Sequence, residues 1–181
     1  MFRKGVIFLV ILLAASLQVS AMVNFFPNWA VPDVMLVLVV IWTAKDGFEK
    51  TLSRTIAIGV ISDLISYLPV GENVVGLSVV SYLVGYSARR FLVSQQAWKL
   101  LFLVTIVIFA TIANQVINFI IFTLVTLTEK KELLSAHILF NSGIIYKIIA
   151  NIIILFVIYW PIKKIEQFLA VYNRDPIVNK K

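Results

Sequence analysis

Residues 100–127 carry no charged side chain, and only Asn114, Gln115, Asn118 and a few threonines interrupt their apolar sequence. A helix needs about 20 such residues to cross the ~30 Å hydrocarbon core of a bilayer. This stretch exceeds one untilted crossing, which predicts a helix that tilts or runs on into an interface. Similar runs recur along the chain. Only 14% of the 181 residues are charged and 61% are hydrophobic, with a mean hydropathy of +0.98, whereas a soluble domain carries about 25% charged residues. Too little polar surface remains for a water-facing fold. The runs also lack the short alternation of barrel strands, and the class they define is an all-α membrane protein.

The polar breaks divide the chain into six expected spans, at about 5–23, 33–44, 51–68, 74–91, 100–127 and 138–160. The first starts with Arg3 and Lys4 and ends near Val19, Ser20 and Ala21, the outline of a cleavable signal peptide. Because every later segment also belongs in a membrane, an uncleaved first span is the simpler reading; a mature chain beginning at Met22 would overturn it. The second run is short for a crossing unless residues 29–31 and Lys45 extend it. Phe25, Phe26 and Trp29, in the loop before it, suit a headgroup region. Pro161 is expected to bend the chain out of the last span, leaving residues 1–165 as one six-helix transmembrane domain and 166–181 as a basic cytoplasmic tail. Cytoplasmic loops carry an excess of Lys and Arg. On this layout 13 of the 16 basic residues fall on the inner side, Lys130 and Lys131 on the outer, and Lys147 within a span. The asymmetry places both termini in the cytoplasm and puts Trp42, Trp98 and Trp160 near the inner face.

Several function classes drop out. Without cysteine there are no disulfides, thiolate metal sites, iron–sulfur clusters or cysteine nucleophiles. The one histidine, His137, builds neither a multi-histidine metal site nor a Ser-His-Asp set, and no glycine-rich phosphate loop appears. The expectation is a non-enzyme without cofactor or metal. The net charge of +7 sits at helix ends rather than in one patch, as membrane topology requires and nucleic-acid binding does not.

Polar residues inside the spans form the candidate site. A charge at a helix centre costs roughly 2.5–3.5 kcal/mol on insertion scales. At 1.5 Å per residue, Asp63 lies roughly 9 Å below the outer end of the third span and Lys147 roughly 13 Å below that of the sixth. Opposite charge at similar height suggests an ion pair. Replacing both by neutral residues should then restore much of what either change alone loses. Gln18, Ser62, Asn118 and Asn151 share this outer region, Asn151 one turn from Lys147 on the same face. Together they read either as interhelical glue or as a polar cavity open to the outside that binds a small ligand or water. Small residues make a second pattern. Gly59 and Ser66 in the third span, and Gly76, Ser81 and Gly85 in the fourth, let backbones approach in lipid. They predict a close antiparallel hairpin around the break at Pro69, or a face for a partner's helix. Asp33 behind Pro32 suits a helix start, where an acid favours the dipole.

Pro32-Asp33 before an apolar run, Gly47-Phe48, Gly59 to Leu64 with Asp63, Pro69-Val70-Gly71, Gly76, and Tyr82 to Tyr86 ahead of Arg89-Arg90 together resemble the MreD family of bacterial rod-shape proteins. One departure is the stretch from Ile65 to Pro69, where relatives often place a glycine. The resemblance implies a fold similar to the six-helix substrate-binding subunits of energy-coupling-factor transporters. It also implies a non-catalytic scaffold in the cytoplasmic membrane. Its partners would be an MreC-type protein, a RodA-type glycosyltransferase and a penicillin-binding transpeptidase in lateral peptidoglycan synthesis. A competing reading is a vitamin-type transporter subunit that uses the outer polar cluster.

Overall fold

A computed structural model describes residues 2–27, 30–65, 71–91, 98–128 and 143–174, and among these every regular element is helical. Helix α1 (Phe2–Ser16) passes through a π-helical turn (Leu17–Ala21) into the short α2 (Met22–Phe25). Then follow α3 (Val34–Asp46), α4 (Phe48–Ile65), α5 (Glu72–Phe91), α6 (Trp98–Thr128) and α7 (Gly143–Arg174). The helices stand where the apolar runs predict them. The Pro69-Val70 break, the 129–132 loop, His137, the start of the sixth span and the end of the tail lie outside the described residues.

Helix α3 is the hub. Every residue from Val34 to Ala44 is buried, and the helix packs on α1, α4, α5, α6 and α7. Its continuous apolar sequence, with no polar face, suits a helix surrounded on all sides. Thirteen residues span only ~20 Å at 1.5 Å each. Gly47 then turns the chain: its φ of +82° lies in the region that glycine tolerates without penalty, and its N–H closes the helix on the Thr43 carbonyl at 2.9 Å.

The α4–α5 hairpin is as close as its small residues predict. A Cβ at Gly59 would come within 2.6 Å of the Val74 backbone, and one at Gly85 within 2.8 Å of Phe48 Cβ. Two polar seams reinforce it. Ser81 Oγ shares a hydrogen bond of 2.9 Å with Thr43 Oγ1 of α3 and accepts one of 3.5 Å from Thr55 of α4. At the opposite hairpin end Arg54 pairs with Asp46 and Arg89 with Glu49.

Outward faces are apolar. Phe8, Leu9, Phe109, Ile120, Phe156, Val157 and Trp160 are all exposed, as lipid contact requires. Leu100–Ile121 and Gly143–Ile165 are each long and apolar enough to cross a membrane, and Gly5–Ser20 forms a shorter apolar helix.

Two expectations need correction. The chain does not leave the helix at Pro161, because α7 continues through it to Arg174. A proline removes one N–H and crowds one carbonyl of the preceding turn, and the helix absorbs both. Trp42 is not an interfacial side chain either. It is only 4% exposed, packed in the core with the Arg54 guanidinium 5.5 Å from its ring centroid. Trp160 is exposed, with Lys164 Nζ 3.7 Å from its ring centroid.

Candidate functional site

Polar side chains gather at the end of the bundle where α3 and α5 begin, and they form two groupings. The first surrounds the start of α3. A helix begins with N–H groups that lack intrahelical partners, and in an apolar surround each must be satisfied by something else. Asp33 caps the helix, its Oδ1 accepting from Leu36 N at 2.9 Å. This places it one position before the first turn, as an N-cap rather than a simple dipole partner. Gln18 reaches across from the π-helical turn. Its Oε1 accepts from Val34 N at 2.7 Å, and its Nε2 donates to the Pro32 carbonyl at 3.1 Å. Asn151 of α7 takes the Asp33 N–H on Oδ1 at 2.7 Å and donates from Nδ2 to Thr111 Oγ1 of α6 at 2.9 Å. Thr111 in turn donates to the Val107 carbonyl at 2.7 Å. The start of α3 is thereby tied to the π-helical turn after α1, to α7 and, through Asn151, to α6. Asn151 is fully buried.

The second grouping lies around the start of α5. Asp63 of α4 is buried, and its two carboxylate oxygens accept from Gly71 N and Asn73 N, both at 2.9 Å. A carboxylate at a helix N-terminus satisfies orphan amides and meets the positive end of the dipole. Asp63 is therefore committed to backbone. The expected ion pair with Lys147 does not form among the described residues: α4 packs on α5, α3 and α1, whereas α7 packs on α6 and α3. Similar expected depth did not bring them to the same side. Lys147 is half-buried on α7, one turn from Asn151.

Among the described residues four buried side-chain oxygens have no hydrogen-bond partner: Ser62 Oγ, Glu72 Oε2, Asn114 Oδ1 and Asn118 Oδ1. Asn114 and Asn118 stand one turn apart on α6, and their oxygens lie 3.0 and 3.2 Å from where a Cβ at Gly76 of α5 would begin. Glu72, one turn before Gly76 and ahead of the expected 74–91 span, is buried. Desolvation first, and the Asp63 charge second, push its carboxyl above the usual carboxylate range.

The expected outer cluster thus divides. Gln18 and Asn151 join Pro32 and Asp33 at the α3 start, while Asp63 holds the α5 start and Asn118 lies beside Gly76 of α5. Of the expected packing residues, Gly59 and Gly85 close the hairpin, Gly76 faces α6, and Ser81 bridges α3 and α4. Ser66 lies outside the described residues. Sequence reasoning passed over two members: Thr111, one turn before Gln115 and three residues before Asn114 on the polar face of α6, and Glu72, taken only as part of the turn.

A buried hub helix, apolar outer faces and polar groups gathered inside define an all-helical membrane protein. The chain belongs to the MreD family: a family model described as "rod shape-determining protein MreD" matches residues 2–166. No curated protein and no solved structure matches it.

Proposed function

We propose that the chain acts in rod-shape determination as a non-catalytic scaffold of the cell-elongation machinery, a multi-pass protein of the bacterial cytoplasmic membrane. Its partners in this reading are an MreC-type membrane protein and, in the wider complex, a RodA-type glycosyltransferase and a penicillin-binding transpeptidase. The observation that carries the reading is the family match across residues 2–166. The tied start of α3 is in keeping with it, since a scaffold needs fixed helices to present partner faces. Depletion followed by microscopy tests the function. Loss of rod shape is expected, and cells that keep their width and length overturn the reading. Co-purification with the MreC-type partner tests the binding. A vitamin-type transporter subunit would instead retain a small molecule through purification.

The six-span topology with cytoplasmic termini belongs to the same proposal. Because the chain has no cysteine, single cysteines report accessibility without background. A cysteine at Lys130 should react with an impermeant maleimide added outside the cytoplasmic membrane, and one at Lys45 or Lys180 should not. The reverse pattern inverts the topology.

A further inference from the structure

Buried polar groups in native proteins nearly always find a partner. Here the buried side-chain oxygens without one, among the described residues, are Ser62 Oγ, Glu72 Oε2, Asn114 Oδ1 and Asn118 Oδ1. They come from α4, α5 and α6. The two asparagine oxygens converge on Gly76, 3.0 and 3.2 Å from where a Cβ there would stand. Glu72 stands one helical turn along α5 from Gly76. Ser62 adjoins Asp63, whose carboxylate holds the amides on either side of Glu72.

All four atoms can accept; the Ser62 hydroxyl can also donate, whereas the Glu72 and asparagine oxygens can be met only by a donor or by positive charge. Asp63 adds a second carboxylate, and neither acid has an ion-pair partner among the described residues. A water molecule supplies two donors but no charge. A metal cation can meet the Glu72 and asparagine oxygens and brings positive charge as well. Carboxylate and amide oxygens are hard ligands. Dedicated calcium sites gather several carboxylates and six to eight oxygens, and magnesium keeps its waters. With one free carboxylate and two neutral amides, this set matches a monovalent ion instead. The positive end of α5 does not oppose it, because Asp63 already covers the first amides.

We propose that Glu72, Asn114 and Asn118 form a binding site for one monovalent metal cation of the sodium class at the junction of α5 and α6. Glycine at position 76 keeps the site open, since a Cβ there would press on both amide oxygens. The site does not depend on the scaffold reading, because it rests on α5 and α6 alone.

The test is the unfolding midpoint of the purified full chain in detergent, measured in sodium, potassium, lithium and N-methylglucamine chlorides at equal ionic strength. A rise of a few degrees that saturates with sodium, relative to N-methylglucamine, is expected. Glu72→Gln should abolish that response while keeping the N-methylglucamine midpoint at or above that of the parent chain, since its amide provides the missing donor. Asn118→Asp should lower the half-saturating sodium concentration about tenfold, an added carboxylate contributing about 1.4 kcal/mol of binding. Equal midpoints in all four salts overturn the proposal and leave water as the occupant. A sodium response that survives both Glu72→Gln and Asn118→Ala places the ion elsewhere and overturns it too. If Glu72→Gln fails to fold, binding of radioactive sodium to the parent chain and to Asn118→Asp decides the matter. Tighter binding by the variant is required, and unchanged or absent binding refutes the site.

Discussion

The starts of α3 and α5 lie at the same end of the bundle and are built from the same kinds of residue, yet they are finished differently. At α3, each amide and carboxamide group named above has a partner: Asp33, Gln18 and Asn151 serve the backbone, and Thr111 takes what Asn151 has left. At α5, Asp63 satisfies the backbone with equal economy, but Glu72 Oε2 and the Asn114 and Asn118 oxygens beside Gly76 have nothing to accept. The two meet on α6, where Thr111 belongs to the first grouping and Asn114 and Asn118, three and seven residues on, to the second. The lesson is that a polar residue in an apolar span is not one signal. Where it reaches a helix end it replaces the water that the end would otherwise need. Where it reaches only other acceptors, it calls for an occupant.

Substitutions can break this contrast. The largest effect is expected at Asp63, the point where the two kinds of role touch. Asp63→Ala strips two amides of their acceptor and should cost about 2–4 kcal/mol, read from detergent unfolding of the purified protein. A loss below about 1 kcal/mol would mean that the amides find other partners.

Gln18→Leu should cost less, about 1–2 kcal/mol. Because Gln18 and Asn151 hold neighbouring amides of one helix end, Gln18→Leu and Asn151→Leu should combine non-additively, with a coupling of about 0.5 kcal/mol or more in a double-mutant cycle. Strict additivity would show that they do not hold one structure.

The smallest effect concerns pH. Burial and Asp63 raise the Glu72 carboxyl, so the folded state holds that proton more tightly than the unfolded chain does. The stability this contributes is fully present below the ordinary carboxyl range and is lost as pH rises through the higher folded value. Glu72→Gln should flatten this part of the stability profile, measured in N-methylglucamine. An unchanged slope would assign the dependence to another group.

Much of this was legible in the sequence. The apolar runs located the helices, and the spacing of Gly59 and Gly85 anticipated the close hairpin because small residues act through the one-dimensional period of a helix. Hydropathy also gave the depth of Asp63 and Lys147. It could not give the side of the bundle each faces, so similar depth suggested a pair where the packing of α4 and α7 allows none among the described residues. Trp42 failed for the same reason: a tryptophan near a helix end is interfacial only if its face is outward, and α3 has no outward face. The fate of Pro161 was illegible because continuing a helix past proline depends on the helix's other contacts, not on the proline alone. The partners of Gln18 were hidden as well, since nothing local to it announces that a helix 16 residues away begins with its donors unsatisfied.

The division between a finished and an unfinished polar grouping is tested most directly by two matched substitutions, Asn151→Leu and Asn114→Leu, unfolded side by side in N-methylglucamine. Both replace a buried asparagine by a leucine of similar length. Asn151→Leu should lose about 2 kcal/mol or more, because Asp33 N–H and Thr111 are left without it. Asn114→Leu should lose nothing or gain slightly, because no bond is broken. Equal losses at the two positions would contradict the division.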